Sequence, residues 1–406
     1  MIEFTWAGKN RTAPHQTQIL PRSLVLPRGF EPDSPITNQL VFGDNFSILS
    51  NLTQTHAGKV DLIYIDPPFF TNRDFSARVG KGEDSRKPKY WRLAAGYQDT
   101  WNGLEPYLQF LYERLNLAHQ ILSPLGSLYL HLDWHADAYA RLIMDEIFGS
   151  DHLLNEIIWT YHGPSPIRSA FNRKHDTILV YTKSDNYIFN VDDVRTDYNQ
   201  NTIKTFASSP KAGFGKVPDL KRGKVPEDWW YFPVVARLHG ERTGYPTQKP
   251  EKLLERIIKA SSNPGSYVLD FFSGSGTTAR VANRLGRQFI AADNQLRAIH
   301  ITAERLMRDG SSPFAMLELE NSQAVIEARD NLVKSVEGGL ELIWDEDIFF
   351  WEWGIMTDEG IFKSLGQSTR AYRETKLQKS MAIPNHLDRL VVRVTDRSDR
   401  VFQQFI

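Results

Sequence analysis

The amino-acid sequence predicts an α/β protein whose sheet is mostly parallel and carries helices on both faces. Short apolar runs rich in β-branched residues alternate with segments whose apolar residues recur at helical spacing. The run at 60–65 is almost entirely apolar, which is typical of a parallel strand buried on both faces. With 406 residues, 41% of them hydrophobic, the chain is long enough for two or three domains with well-developed cores.

The predicted elements follow one another in a strand–helix alternation with one long interruption. Before the interruption, the pattern predicts these elements: strand 40–42, helix to about residue 56, strand 60–65, helix 104–122, strand 126–132, helix 136–148, and strands 153–160 and 177–182. Residues 70–100 lack periodicity and are predicted to form a mobile loop. After residues 185–245, the alternation resumes as follows: helix 249–261, strand 267–270, helix to 285, strand 288–292 and helix to about 308.

Composition and charge exclude several classes of protein. The sequence contains no cysteine, which excludes disulfide scaffolds, thiolate metal sites and cysteine nucleophiles. The start of the chain lacks a basic-then-apolar signal pattern, and no run approaches the length of a membrane span, so we expect a soluble cytoplasmic protein without a membrane partner. Basic and acidic residues nearly balance, at 48 and 49, but residues 201–245 carry a net charge of +4, which suits a polyanionic partner.

Changes in composition divide the chain into five predicted segments. These are an N-terminal arm at 1–36, the first half of the α/β domain at 37–184, an insert at 185–245, the second half at 246–312 and a C-terminal extension at 313–406. The net charge changes from −10 over 316–360 to +5 over 361–406. This change favours a separate small domain, and the alternative is an extension that packs onto the sheet.

The first motif with chemical content is a Gly-rich turn at 270–278, which reads Asp-Phe-Phe-Ser-Gly-Ser-Gly-Thr-Thr between a strand and a helix. Its glycines permit a tight turn and a close approach of ligand, and the helix N-terminus offers free N–H groups to an anion. Asp293 ends the next strand about 20 residues on, where a ribose partner lies in dinucleotide and adenosyl sites. The turn is not a Walker A loop. The third glycine of the nicotinamide fingerprint is absent, which disfavours an NAD-dependent oxidoreductase and leaves an ordinary Gly-rich turn as the alternative.

The second motif is Asp66-Pro67-Pro68-Phe69, at the end of the most apolar predicted strand. The two prolines restrict the backbone and present the Asp66 carboxylate, the carbonyl groups and an aromatic ring in one fixed arrangement. Ligands of open parallel sheets bind at the carboxyl ends of the strands, so a functional role is favoured over a capped turn.

A third motif, Thr-Gln-Lys-Pro at 247–250, leads into a predicted helix and is by itself typical of a capped helix start. His131, Asp133 and His135 alternate at the end of another strand. We interpret them as one face of that strand near the cleft, and we predict no metal site.

Together the three motifs resemble those of the DNA amino-methyltransferases, in the beta class, whose catalytic motif precedes its cofactor motif. Asp66-Pro-Pro-Phe resembles the Asp-Pro-Pro-Tyr/Phe motif, and Phe272-Ser-Gly-Ser-Gly resembles the Phe-x-Gly-x-Gly motif that binds S-adenosylmethionine. The strand at 61–66 is most similar to modification subunits of type III systems and their solitary relatives. The resemblance covers about residues 38–310.

The resemblance implies a circularly permuted Rossmann-like methyltransferase sheet, in which the catalytic and cofactor strands are neighbours although they are far apart in the chain. It also implies that the insert at 185–245 is the region that recognises the DNA target. The charge and the aromatic residues of the insert suit contacts with phosphate and base. Trp229 and Trp230, however, are predicted to belong to a small aromatic core.

The implied activity is methyl transfer from S-adenosylmethionine to the exocyclic N6 amine of adenine in a specific DNA sequence. Asp66 and the carbonyl of Pro67 would accept hydrogen bonds from the amine of a flipped base, Pro68 would hold the turn rigid, and Phe69 would stack on the base. The absence of cysteine excludes methylation at cytosine C5. In the family, Asp at the first motif position goes mostly with adenine. Cytosine-N4 methylation, RNA methylation and a non-catalytic DNA-specificity subunit remain open as alternatives.

The resemblance also assigns the cofactor site and the partners. Phe272, Gly274, Gly276 and Thr277 would form the loop around the methionine end of S-adenosylmethionine, with Asp270 near its amino group. The remaining assignments are Asp293 to the ribose hydroxyls, Asp44 to the adenine ring and Lys249 to the methionine carboxylate. Double-stranded DNA is the expected partner, and a homodimer and a restriction subunit are left open.

Overall fold

The computed structural model describes the chain apart from several short segments. The described residues are all of 1–406 except 1–2, 15–16, 32, 80–88, 90–91, 165–166, 209–218, 237–238, 323, 345–346, 371–376 and 385–388.

The helices and strands of the described residues are numbered in chain order. The helices are α1 (Asn45–Thr55), α2 (Leu104–Ile121), α3 (Asp137–Phe148), α4 (Gln200–Ser208), α5 (Glu251–Ser261), α6 (Thr277–Arg284) and α7 (Leu296–Asp309). The strands of the first three quarters of the chain are β1 (Ile19–Val25), β2 (Asn38–Phe42), β3 (Val60–Ile65), β4 (Arg73–Val79), β5 (Arg92–Asp99), β6 (Leu122–Leu132), β7 (Leu153–Thr160), β8 (His175–Thr182), β9 (Trp229–Tyr231), β10 (Tyr267–Asp270) and β11 (Gln288–Asp293). The later strands are β12 (Phe314–Leu319), β13 (Ile326–Ala328), β14 (Val333–Val336), β15 (Gly339–Leu342), β16 (Ile348–Met356), β17 (Phe362–Thr369), β18 (Ser380–Ala382), β19 (Leu390–Asp396) and β20 (Val401–Phe405).

One large sheet organises the fold, with the strand order β13-β20-β19-β16-β17-β1-β12-β2-β11-β10-β3-β6-β8-β7-β9. The strands from β12 to β6 in this order are mutually parallel, and β8 is antiparallel to both of its neighbours. The predicted mostly parallel α/β sheet is therefore confirmed. The early strand β3 lies beside the late strand β10, as the permuted order predicts, so the segments that follow these two strands meet at one edge.

Helices cover both faces of the parallel strands because alternate residues of each strand point to opposite sides. In β3, Ile63 and Ile65 pack into a core with α1, α2 and α3, whereas Leu62 and Tyr64 pack into a second core with α5, α6 and α7. Burial on both faces explains why the run at 60–65 lacks the polar alternation of a half-exposed strand.

The prediction of an irregular loop at 70–100 is wrong for the described part of this segment. Strands β4 and β5 form an antiparallel hairpin, in which the rings of Phe75 and Tyr97 stack with centroids 4.7 Å apart. The hairpin forms a two-stranded sheet that is separate from the large sheet. Its sequence therefore lacks the regular spacing of apolar residues that marks a strand of the main core.

The prediction of an unpacked N-terminal arm is wrong for Ile19–Val25. These residues form β1, which fills the space between β12, its antiparallel neighbour, and β17, its parallel neighbour. Pro21 is accommodated because the register with β12 shifts between Pro21 and Ser23. Both partner strands lie near the other end of the chain, so local sequence does not reveal the pairing.

The C-terminal extension continues the large sheet through β17, β16, β19 and β20. It also has its own apolar cluster, which includes Trp351, Val392 and Phe402. Of the two alternatives, the structure therefore supports an extension of the sheet, while the five-part division of the chain stays a prediction. In the residues that the structure describes, no helix has both the length and the apolar character that a membrane crossing requires.

Gly276 lies where α6 begins and packs directly against α7. Its φ is +72°, and an added Cβ would lie 2.8 Å from Thr302 Cβ. Gly286 has a similar φ of +73°, but an added Cβ there would meet nothing within 4 Å. The two glycines therefore share the same backbone requirement and differ in packing.

This difference predicts unequal costs of an added methyl group. Gly286→Ala should lower the free energy of unfolding by about 1–2 kcal/mol through backbone strain alone. Gly276→Ala should cost about 1–3 kcal/mol more, because α7 must also move. Urea denaturation of both variants measures the difference. Equal losses would show that the α6–α7 contact does not constrain this position.

Candidate active site

A cavity of about 750 Å³ opens at the carboxyl ends of β3, β10 and β11. One wall is the sheet edge with the Gly-rich turn, and another is the β4–β5 hairpin, which contributes Phe75 and Tyr97. The segment before α5 forms a further part of the lining through Tyr245 and Lys249. The volume is typical of a pocket for a small molecule or cofactor.

Asp66 directly follows β3 and lines this cavity, with its two oxygens in different environments. Oδ2 accepts a hydrogen bond from Lys249 Nζ at 2.5 Å, and both side chains are largely buried. Oδ1 is buried and has no hydrogen-bond partner among the described residues. A buried carboxylate oxygen without a partner is costly, so this atom is available to a ligand that donates a hydrogen bond.

The turn after Asp66 is held by groups that the sequence analysis did not identify. Tyr107 Oη donates to the carbonyl of Pro68 at 2.9 Å. The buried carboxylate of Asp99 accepts from the backbone N–H groups of Phe70 and Thr71 at 3.0 and 2.8 Å. Phe70 has a φ of +65°, which is unfavourable for a bulky residue. The Asp99 hydrogen bonds therefore stabilise a strained backbone directly beside the Asp-Pro-Pro-Phe motif.

Phe69 lies against a buried polar network and does not line the cavity. Its ring stacks on His131, with centroids 5.9 Å apart and an interplanar angle of 24°. His131 Nδ1 lies 2.8 Å from Tyr64 Oη, and His131 Nε2 lies 3.2 Å from a carboxylate oxygen of Asp176. Burial alone would raise the pKa of Asp176, but its hydrogen bond with His131 brings the pKa below its ordinary value. The network fixes the orientation of the ring on which Phe69 packs.

The alternating residues at the end of β6 do not assemble as a metal site. Both ring nitrogens of His131 already contact Tyr64 and Asp176. Asp133 Oδ1 lies 2.9 Å from Nδ1 of His135. Among the described residues, no group of three or more histidine, cysteine, aspartate or glutamate side chains could hold a metal ion.

Asp270 ends β10 and is buried beneath the Gly-rich turn. Its oxygens accept hydrogen bonds from Phe272 N at 3.0 Å and from Thr278 Oγ1 at 2.6 Å. Burial is the main cause of a pKa of about 7 for Asp270; the nearby carboxylates of Asp66 and Asp293 add to the rise, and the two hydrogen bonds oppose it. The carboxylate thus shapes the turn and adds negative charge at the floor of the cavity.

Asp293 ends β11 beside this turn. Its carboxylate accepts from the backbone N–H groups of Gly274 and Gln295, both at 2.8 Å. Burial raises the pKa of Asp293 to about 6, although these hydrogen bonds favour the ionised form. Gly274 has a φ of +49°, and an added Cβ would lie 3.2 Å from the ring of Tyr245. A side chain at position 274 would therefore enter the contact between the turn and the cavity wall.

The Gly-rich turn is supported from behind by a buried ion pair. Arg305 Nη1 donates to the carbonyl of Ser275 at 2.6 Å and to Thr277 Oγ1 at 3.3 Å. Arg305 Nη2 donates to Glu251 Oε1 at 3.1 Å. Thr277 Oγ1 also donates to the carbonyl of Lys249 at 3.3 Å. These contacts connect the turn to the start of α5, and the sequence analysis did not predict them.

Asp44 has a structural role in addition to its place in the cavity. It is the N-cap of α1 and accepts from Ser47 N at 2.9 Å, while its other oxygen accepts from Arg114 Nη2 at 3.2 Å. Its predicted contact with an adenine ring stays a prediction.

The structure brings most of the predicted site residues to one cavity. Those that line it are Asp44, Asp66, Pro68, Lys249, Asp270, Phe272, Gly274, Thr277 and Asp293. Pro67, Phe69 and Gly276 are not part of the lining and lie directly behind or beside it. Lys249 contacts Asp66 in this structure, and its predicted contact with a cofactor carboxylate stays a prediction.

Comparison with known proteins identifies the family. The family model described as "DNA methylase", which covers N6- and N4-specific enzymes, matches residues 60–304, more than half of the chain. The chain therefore belongs to this family of DNA methylases.

The chain is also similar to individual DNA methyltransferases. The DNA adenine methyltransferase YhdJ of Escherichia coli (strain K12) is 31% identical over 284 residues, which cover 69% of this chain and 85% of that protein. The type II methyltransferase M.BglII of Bacillus subtilis is 29% identical over 276 residues, which cover 66% of this chain and 69% of that protein. The solved M1.HpyAVI–SAM complex covers 66% of this chain and 98% of its own, at 20% identity and a TM-score of 0.42.

The raised pKa of Asp270 predicts a pH-dependent stability. An aspartate titrates near its ordinary value of 3.8 when unfolded and near 7 in the folded protein, so between these values the folded state binds the extra proton. The free energy of unfolding should therefore fall as pH rises through this range. Asp270→Asn cannot titrate and should lose this part of the pH dependence.

Urea denaturation of the ligand-free protein at about pH 5 and about pH 8 measures the effect. The exposed Asp358, whose side chain is 87% accessible, provides the control, and Asp358→Asn should retain the wild-type dependence. An unchanged pH dependence in Asp270→Asn would contradict the assignment.

Proposed function

We propose that this protein transfers a methyl group from S-adenosylmethionine to the exocyclic N6 amine of adenine in DNA. The observation that carries the proposal is the buried, unpartnered Oδ1 of Asp66, which shares one cavity with the Gly-rich turn after β10. The family supplies the reaction class, and the motif order, with Asp66 before the Gly-rich turn, supports the beta class.

The residues of the cavity suit S-adenosylmethionine, which supplies a sulfonium-bound methyl group when it is bound. Three carboxylates, those of Asp66, Asp270 and Asp293, face a region that would receive a cationic ligand. The backbone at Gly274 leaves space that a Cβ would fill, and Ser273 Oγ is buried without a partner among the described residues. Asp293 would bind the ribose hydroxyls, and the turn would hold the methionine end.

Asp66 activates the acceptor amine, which is a poor nucleophile because its lone pair is delocalised into the base. Oδ1 accepts a hydrogen bond from the amine and favours a pyramidal nitrogen whose lone pair points at the methyl group. The nitrogen–carbon bond forms as the sulfur–carbon bond breaks, and Asp66 is placed to accept the proton that the amine loses. Orientation and charge stabilisation provide the catalysis.

Lys249 positions the Asp66 carboxylate for this role. The ion pair occupies Oδ2 and leaves Oδ1 for the amine. The ammonium group also offsets part of the negative charge that the carboxylates of the cavity place near Asp66.

Adenine is the proposed base, and the flipped nucleotide would stack on the part of the Phe69 ring that His131 leaves exposed beside the cavity. Asp rather than Ser at the first motif position favours adenine, and YhdJ, a relative at 31% identity, is named an adenine methyltransferase. The insert at 185–245 would recognise the target. Trp230 is buried there, as predicted, whereas the prediction of a core position is wrong for Trp229, which is 60% exposed. An exposed indole at the sheet edge is available to nucleic acid.

The proposal predicts the outcome of a labelled transfer assay. Purified protein, S-adenosylmethionine with a labelled methyl group and unmethylated genomic DNA should yield labelled N6-methyladenine after digestion to nucleosides. Asp66→Asn should reduce the rate about 100-fold or more, because the amine loses its charged acceptor. Asp358→Asn, at an 87% exposed side chain of the C-terminal extension, is the matched control and should keep the wild-type rate.

Each other outcome has a distinct meaning. Label in N4-methylcytosine would retain the mechanism and overturn the base. Absence of label from DNA, with wild-type protein folded and S-adenosylmethionine bound, would overturn the proposed activity.

A further inference from the structure

The loop between β7 and β8, residues 161–174, carries a net positive charge. It contains Arg168, Arg173 and Lys174, and no acidic residue. Lys174 Nζ donates to the carbonyl of Pro164 at 3.1 Å, so its aliphatic part crosses the base of the loop. The local excess of positive charge suits a polyanion.

The topology places this loop at the same edge as Asp66. Strand β7 has the direction of β6 and β3, because β8 is antiparallel to both β6 and β7. The carboxyl end of β7, where the loop begins, therefore lies on the side of the sheet where β3 ends. The guanidinium of Arg173 lies 4.1 Å from the ring centre of Trp134, in the turn after β6.

The loop is connected to the catalytic motif through the buried network. Tyr161, its first residue, donates from Oη to Asp176 at 3.0 Å. Asp176 contacts His131, whose ring packs on Phe69. The base of the loop is thus fixed to the same side chains that orient Phe69.

Exposed aromatic rings surround the cationic residues. Phe171 is 98% exposed, and Trp134, Trp229 and Tyr231 are 48%, 60% and 51% exposed. His162 belongs to the loop, and the centre of its ring lies 5.1 Å from the ring centre of Tyr231 in β9. Single exposed apolar residues are ordinary on protein surfaces, but aromatic rings interspersed with cations at one edge are typical of a nucleic-acid surface.

We propose that the β7–β8 loop binds the DNA duplex beside the target and that Phe171 enters the base stack where the flipped base has left. Arg173 and Lys174 contact the adjoining phosphates. Apolar side chains that enter a base step offset the loss of stacking, and a flipped base leaves a gap of the size of an aromatic ring. This inference rests on the proposed function, because it assigns to the DNA a contact outside the 185–245 insert.

The test uses a short duplex that contains the sequence methylated by the wild-type protein. Two versions are compared, one with the target base paired and one with an abasic site opposite it, where opening costs less. Fluorescence anisotropy gives the dissociation constants. Phe171→Ala should weaken binding about 10-fold or more for the paired duplex and less than about 3-fold for the abasic one. The control Phe405→Ala removes a ring that is 64% exposed at the end of β20 and should change neither value.

The charged residues are tested by salt dependence on the paired duplex. Arg173→Gln with Lys174→Gln should reduce the slope of log affinity against log salt by about 2, since two phosphate contacts are lost. Lys334→Gln with Arg389→Gln, two exposed cations of the C-terminal extension, should leave the slope unchanged.

The outcomes distinguish failure of the proposed DNA contact from failure of the proposed function. Equal weakening on both duplexes, or no weakening on either, would overturn insertion of Phe171 into the stack. An unchanged salt slope in the Arg173 and Lys174 double variant would overturn the loop as a phosphate contact. Failure of the wild-type protein to bind or methylate any duplex would instead contradict the proposed function.

Discussion

The site depends on the pairing of β3 with β10. Parallel pairing of Leu62 with Val268 and of Ile63 with Leu269 brings together two strands from opposite halves of the chain. Asp66 and Asp270 therefore end at the same edge, and β11 adds Asp293 beside them. The apolar residues of β3 are buried on both faces, so the register is strongly specified, and a slip of one residue would exchange the two cores.

Three carboxylates at one sheet edge repel one another when they are ionised, and the surrounding residues offset part of this repulsion. Burial raises the pKa of Asp270 and of Asp293, and backbone N–H groups together with Thr278 stabilise their ionised forms. Lys249 offsets the charge of Asp66 through an ion pair that leaves one oxygen without a partner. The remaining negative charge suits a cationic cofactor, so the same arrangement serves both the proposed cofactor binding and the proposed activation of the amine.

Much of this architecture could be predicted from the sequence, because the parallel strands and the two motifs are local patterns. The end of β3 at Asp66 and the Gly-rich turn after β10 needed only apolar periodicity and residue spacing. The β4–β5 hairpin, the hydrogen bonds of Asp99 to the turn, and the Arg305–Glu251 pair could not be predicted, because each depends on contacts between segments distant in the chain. Lys249 was identified as a site residue, but its partner could be assigned only from the folded geometry.

A crystal structure of the protein with S-adenosylhomocysteine tests the central claim most directly, because this product retains the sulfur that carried the methyl group. The account predicts that the ribose hydroxyls bind Asp293, that the methionine end lies along the turn at Gly274, and that the sulfur faces Asp66 Oδ1 across the cavity. Binding of the ligand away from this cavity, or with its sulfur turned from Asp66, would contradict it.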